Sequence, residues 1–373
     1  MEANQNPQAK VHMLSGVLCG LTVLPLNPPR PIVAALVVGL TVVAVSTLLF
    51  DPRGREVLLI KLSLWIKGSL MMVIGRDKKW KKKGRPDPAE VANAKDKRIK
   101  RLVLIRHGES EWNNVFNIGP KIFVPIKAIL ALAREFLMVL QLSPNSIFYD
   151  SPLNESGLRQ AEELDEIFYN YNDPSAPGYE EILKINKGNC VYATSTLRRS
   201  VQTIVLALKT RLENNRDDKV LLLSSLQEIS TNVDTLALTP PLKSPVLPNI
   251  SEFLTDPERF DASGNSGNKL LRGNGLQRMQ AFAEWVFTRD EDLILVGGHS
   301  LWFRSFFREF LPKDANPFDA RNMKIANGAV VAITLERGTI DDSVAIQYRI
   351  DPDSIVEIHI GFEKKKAKKK KVT

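Results

Sequence analysis

Four histidines occur in the 373-residue chain: His12, His107, His299 and His359. Two of them stand at equivalent places, in "LVLIRHG" (102–108) and "LILVGGHS" (293–300), where a short apolar run ends abruptly in histidine beside glycine. A run of Val, Ile and Leu without polar alternation reads as a strand buried on both faces. Ligands of open α/β sheets sit just past the carboxyl ends of such strands. An imidazole placed there can be a nucleophile or a proton carrier near neutral pH. Arg106 directly precedes His107, and Gly108 lets the backbone turn close to a ligand. A third junction, "VYATSTLRRSVQT" (191–203), puts Arg198 and Arg199 at the start of a helix, whose free N–H groups attract anions. Arginines at such a place suit a phosphate group. The chemistry these residues favour is attack by histidine on a bound anion; the bland alternative is solvated arginines and incidental histidines.

Such residues must be positioned by a sheet. Strands are expected over 101–106, 189–193, 219–223, 293–296, 328–335 and 344–348, and helices over 157–170, 197–213, 275–288 and 301–310. Alternation at this spacing predicts an α/β fold, a mostly parallel sheet with helices on both faces. The composition, 44% hydrophobic and 25% charged, is that of an ordinary globular chain, so disorder is not the default. Two cysteines, Cys19 and Cys190, exclude a disulfide scaffold and any zinc-type spacing.

Four stretches, "LIRHGESEWN", "SPLNESGLRQA", "TSTLRRSVQT" and "GGHSLWFRSFF", occur in this order between Lys100 and Glu336. Together they resemble the histidine phosphatase superfamily in its phosphoglycerate mutase-like branch. The resemblance implies that His107 is the nucleophile that becomes phosphorylated. It also implies that Arg106, Arg199 and His299 surround the phosphoryl group, with Asn113 as a further donor. Of the arginine pair it selects Arg199, directly before Ser200, over Arg198. Glu228 in "LQEIS" takes the position of the proton donor, with Glu109 as the other acid near the nucleophile.

These roles make physical sense. Two guanidiniums and an imidazolium can neutralise the equatorial oxygens in phosphoryl transfer without a metal. The nucleophilic imidazole has to be neutral, and one carboxyl must protonate the leaving oxygen and then activate water. No cluster of acids is spaced like a metal site, so metal independence and no cofactor are expected. Two stretches, "NVFNIGPK" and "ISTNVDTLALTPPLKSP", depart from the mutase pattern, which favours hydrolysis over mutase-type phosphotransfer. A catalytically idle phosphate-binding scaffold is the remaining alternative; the retained histidines and arginines argue against it.

The amino-terminal third has a different character. Residues 31–50 are twenty residues without a charge, enough at about 1.5 Å per residue to cross a ~30 Å hydrocarbon core. The shorter apolar stretch 13–26 is separated from it by "PLNPPRP", which leaves a re-entrant hairpin or a single span preceded by an interfacial segment. Residues 56–74 are apolar but carry Lys61 and Lys67, and are expected to lie on the membrane with Trp65 at headgroup level.

The net charge of +9 comes from two runs: 76–85 at +6 and 364–373 at +7, which leaves the rest of the chain at −4. Such runs suit anionic lipid. Nucleic acid is not expected, because no aromatic platform accompanies them. By the positive-inside rule everything after residue 76 faces the cytosol. The closing Lys370-Lys371-Val372-Thr373 resembles the dilysine retrieval signal of endoplasmic reticulum membrane proteins, read by coat machinery.

The domain plan is therefore a membrane segment over 1–50, an interfacial helix and basic linker over 51–99, and the phosphatase domain over 100–351. A basic tail over 352–373 completes it. Within 117–150 an apolar insertion, "IKAILALAREFLMVLQL", confines its polar residues Lys127, Arg134 and Gln141 to one narrow stripe with Glu135 beside it. It is either a membrane-touching cap over the site or a helix packed against the domain and the amino-terminal segment. If a cap, hydrophobic or lipid phosphomonoesters become plausible substrates.

Overall fold

The computed structural model describes residues 46, 52–80, 87–141, 143–313, 320–340 and 346–363. The apolar stretch 13–26, the uncharged run 31–50 apart from Ser46, the basic residues 81–85 and the lysine tail from 364 lie outside the described residues. The chain divides into two compact units, Met1–Leu59 and Ile60–Thr373. In the first, the described chain is Ser46 and the opening turns of helix α1 (Pro52–Ile74).

The second unit is built on one eight-stranded sheet. Its strands are β1 (Arg98–Arg106), β2 (Cys190–Ser195), β3 (Val220–Leu223), β4 (Phe260–Asp261), β5 (Leu293–Gly298), β6 (Val330–Thr339), β7 (Ile346–Ile350) and β8 (Val356–His359). They lie in the order β4-β3-β2-β5-β1-β6-β7, with β8 also paired to β6. From β4 to β1 all neighbours are parallel; β6, β7 and β8 are antiparallel. The helices are α2 (Glu111–Phe116), α3 (Val124–Leu140), α4 (Glu155–Tyr169), α5 (Tyr179–Lys187), α6 (Arg198–Ala207), α7 (Lys209–Asn214), α8 (Glu252–Thr255), α9 (Gly275–Val286) and α10 (Ser300–Phe310).

The period-2 geometry of a strand sorts β1 between two cores. Leu102 and Leu104 join Phe282, Trp302 and Phe306 of α9 and α10, whereas Val103 and Ile105 join Leu164, Ile182 and Val201 of α4, α5 and α6. A strand fully buried on both sides explains the unbroken apolar run. Truncating any of these side chains to alanine costs about 2–5 kcal/mol.

The structure corrects several expectations. The helix expected over 197–213 breaks at Leu208, because Asp165 of α4 accepts both the amide and hydroxyl of Thr210 and starts a new helix there. The domain does not stop at 351: Val356 and Glu357 pair with Ala332 and Val331, and Phe362 bridges Ile325. Nor does it start at 100. Asp77, inside the basic run 76–85, is fully buried; it accepts the Ser230 amide and pairs with Lys269 and Arg278. Val91, in a short 3-10 turn Pro88–Asn93, is also buried.

Helix α1 is, among the described residues, the one helix long and apolar enough to cross a membrane. Its later half lies along the domain instead: Leu64 and Met71 are buried with Leu236, and Gly68 sits so close to Val233 that a Cβ would meet its methyl at 2.8 Å. The insertion forms α3, with Ala131 buried beside Val115 and Ile147.

Candidate functional site

Register brings the two histidines together. Arg106 pairs with Gly298 across parallel β1 and β5, so His107 and His299 leave the sheet side by side, with ring centroids 5.1 Å apart. β2, the other neighbour of β5, leads into α6, and β3 leads to Glu228. Four adjacent parallel strands thus end around a pocket of about 440 Å³ whose walls include Arg106, His107, Asn113, Arg199 and Glu228.

His107 is buried, and its Nδ1 lies 2.6 Å from the carbonyl of Gly108. A carbonyl can only accept, so Nδ1 carries the proton and Nε2 keeps its lone pair. Arg199 donates to that Nε2 through Nε at 3.3 Å. Burial first, then the charges of Arg199 and Arg106, hold the His107 pKa well below its ordinary value, so the imidazole is neutral. Gly108 is required here: a Cβ would stand 2.6 Å from the carbonyl oxygen of Gly157.

His299 caps α10 and is fully buried; among the described residues neither ring nitrogen has a hydrogen-bond partner. Burial, followed by Arg199 and His107, keeps its pKa far down as well. In this state it is imidazole, not the imidazolium expected from the sequence. A phosphate dianion would favour the charged form.

The two consecutive arginines part company. Arg199 reaches His107 and also donates to the Asp234 carbonyl at 2.9 Å. Arg198 turns the other way and pins the end of the insertion, donating to the Asp150 carbonyl, Asn145 Oδ1 and the Ser146 carbonyl. Glu228 accepts amides from Ile229, Leu301 and Trp302, the last two in the first turn of α10. Glu109 is turned aside: its carboxylate takes the Asn154 amide group at 2.6 Å. Asn113, on α2, lines the pocket while its Oδ1 accepts from Asn117.

Sequence reasoning missed two acids at the site. Asp234 is fixed by Arg199, 3.4 Å from its Oδ2, while its buried Oδ1 has no partner among the described residues. Burial raises its pKa against the pull of Arg199. Glu363 accepts from Arg106 at 2.7 Å and lines the pocket with Lys324 and Asn327. No spacing rule reaches from 106 to 363. Orphaned buried polar atoms are rare. Arg106 Nε and Asp234 Oδ1 belong to residues that line this pocket, and the two unpartnered nitrogens of fully buried His299 belong to a ring beside that of His107, which lines it too, an arrangement that suits a phosphoryl group. Among the described residues no three His, Cys, Asp or Glu side chains are placed to hold a metal ion.

Residues 147–342, just over half of the chain, match the family model of the histidine phosphatase superfamily, branch 1. The chain belongs to that superfamily. The matched region holds Arg199, Glu228 and His299 but begins after His107, near the end of the insertion that separates "RHG" from the rest. Solved structures to which the histidine phosphatase is similar include the following three. A mycobacterial glucosyl-3-phosphoglycerate phosphatase is 14% identical, over 68% of this chain and 97% of that one, with a TM-score of 0.32. A phosphoserine phosphatase from Entamoeba histolytica is 14% identical over 62% and 89%, with a TM-score of 0.29. A phosphoglycerate mutase from Thermus thermophilus is 17% identical over 67% and 98%, with a TM-score of 0.28. At such scores their substrates say nothing about this chain's. No curated protein matches it. Its family makes it a phosphatase-type enzyme.

Proposed function

We propose that this histidine phosphatase is a metal-independent phosphomonoesterase that works through a phosphohistidine at His107. The lone pair of Nε2 attacks phosphorus and the ester P–O bond breaks. Glu228 gives its proton to the departing oxygen. Water then attacks the phosphohistidine and gives a proton back to Glu228. The P–N bond breaks, releasing inorganic phosphate and neutral His107. Arg106, Arg199 and His299 neutralise the transferring group, with Asn113 as a further donor.

The observation that carries this reading is the state of His107: proton on Nδ1, lone pair on Nε2, and Arg199 directed at that nitrogen. A second reading of the acid rests on Asp234, whose unpartnered Oδ1 and raised pKa suit a proton donor.

The location we propose is the cytosolic face of a membrane, the endoplasmic reticulum if the dilysine signal is read by coat machinery, with a hydrophobic or lipid phosphate as substrate. Supporting it are the uncharged run 31–50 and the two basic runs, suited to anionic lipid. Bilayer contact is assigned to residues 13–74, and no nucleic acid partner is proposed.

The test uses the detergent-solubilised full chain with chelator and an aryl phosphate, beside His107→Ala, Glu228→Gln and Asp234→Asn. The reading expects phosphate release from the parent and none from His107→Ala. Whichever acid variant loses activity on a poor leaving group, yet keeps it on a good one, is the donor. A folded parent that releases nothing from aryl or lipid phosphates would favour the idle scaffold.

A further inference from the structure

The insertion helix α3 is inside out. Ala128, Ala131, Glu135 and Met138, spaced three or four apart, face Val115, Ile147 and their neighbours. Away from that side Ile126, Ile129, Leu130, Leu132 and Phe136 are each more than half exposed. A soluble helix puts that stripe inward. Helix α1 repeats the pattern: Leu64 and Met71 face the domain, while Leu62, Trp65, Ile66 and Leu70 are 42–60% exposed.

The two helices are fastened together. Lys61 pairs with Glu135 at 2.9 Å, both largely buried, and the second oxygen of Glu135 takes the Ser146 hydroxyl and the Ile147 amide. At its other end α3 is tied to the pocket rim, because Lys127 donates to the carbonyls of Asn114 and Ile118. Ile118, Trp112 and Asn117 line the pocket itself. A path therefore runs from exposed hydrocarbon on α3 to His107.

We propose that the exposed faces of α3 and of the Ile60–Ile74 half of α1 form one platform that seats in the interface of an anionic bilayer. The pocket mouth opens at the edge of that platform. The occupant is argued from the chain itself. Twenty uncharged residues, 31–50, come just before α1, and exposed Arg76, Lys78 and Lys79 just after it, at the height of lipid headgroups if the platform is seated. Trp65 suits the same level. A phosphomonoester could keep its acyl chains in the bilayer while its phosphate passes Ile118 and Trp112 to Arg106. That last step rests on the phosphatase reading; the platform itself does not.

The test uses the full chain in phosphatidylcholine–phosphatidylserine vesicles, in a Cys19→Ser, Cys190→Ala background. A bimane label is placed at Ile129→Cys or Ile126→Cys, with exposed Val246→Cys as control. Nitroxide-bearing acyl chains should quench the α3 labels and leave the control bright. Unquenched α3 labels, or α3 labels that report proximity between two copies in vesicles and detergent alike, overturn the platform.

The double variant Ile126→Asp, Ile129→Asp adds a second readout. It should lose about tenfold or more on a long-chain lipid phosphate in vesicles, and change little on a water-soluble aryl phosphate. Equal loss on both substrates overturns the substrate path. Quenching with a parent silent on both substrates sustains the platform and overturns the phosphatase reading.

Discussion

Around His107, the residues Arg106, Arg199, His299, Glu228 and Asp234 are each less than a tenth exposed, whereas along α3 five large apolar residues are more than half exposed. Both regions invert the usual partition of residues between core and surface. They do so in opposite directions. Buried charge is tolerable where groups satisfy one another or a ligand; exposed hydrocarbon is tolerable where something other than water covers it. For each inversion we propose a partner outside the chain, phosphate for one and lipid for the other. The rest of the sheet needs none, since β1 and β5 bury ordinary apolar side chains on both faces.

The largest expected effect breaks the charged region. Arg199→Gln should lower kcat/KM on an aryl phosphate by about 10²–10³-fold with the fold intact, as removal of a preorganised donor does. Its neighbour gives the contrast. Arg198→Ala leaves Asp150 buried without its charge partner, so it should cost about 3–5 kcal/mol in chemical unfolding. If Arg198→Ala matched Arg199→Gln in kinetics and left stability untouched, the division between the two arginines would be wrong.

A smaller effect comes from pH. His107 and His299 both have folded pKa values well below the ordinary 6.5, so below about pH 6.5 the unfolded chain binds protons that the folded one does not. Stability should therefore fall as pH drops from 6.5 toward 5, by about 1.4 kcal/mol per unit for each histidine. Urea unfolding across that range checks it, and His299→Asn should lessen the slope. The acid limb of kcat/KM should likewise lie below pH 6.5 and move up toward it in Arg199→Gln. The smallest effect is at the rim: Glu363 occupies Arg106 as a carboxylate, so Glu363→Gln should tighten inhibition by inorganic phosphate a few-fold, by roughly 1 kcal/mol or less.

What could be read in advance follows the range of the interactions involved. Strand ends, glycine turns and helix starts are local, and so the placement of His107, His299 and the arginine pair was legible. The apolar circumference of the insertion was legible too, but not which side would be exposed. Asp234 joins the site through Arg199, Glu363 through a strand that returns from the far end, and Asp77 through Lys269 and Arg278. Those are tertiary pairings between residues far apart in sequence. The return strand β8 had its own signal in the alternating "VEIHI", masked by the lysines that follow. Glu109 shows the converse: nearness in sequence to the nucleophile, with a side chain committed to Asn154.

The central claim is that His107 carries the phosphoryl group. The direct measurement is rapid acid-free quenching of the full chain with a labelled phosphomonoester, followed by peptide mapping. The account predicts a phosphoramidate on the peptide containing His107, stable in base and lost in mild acid, and absent from His107→Ala. Label on His299, or turnover in the His107→Ala protein, would contradict it.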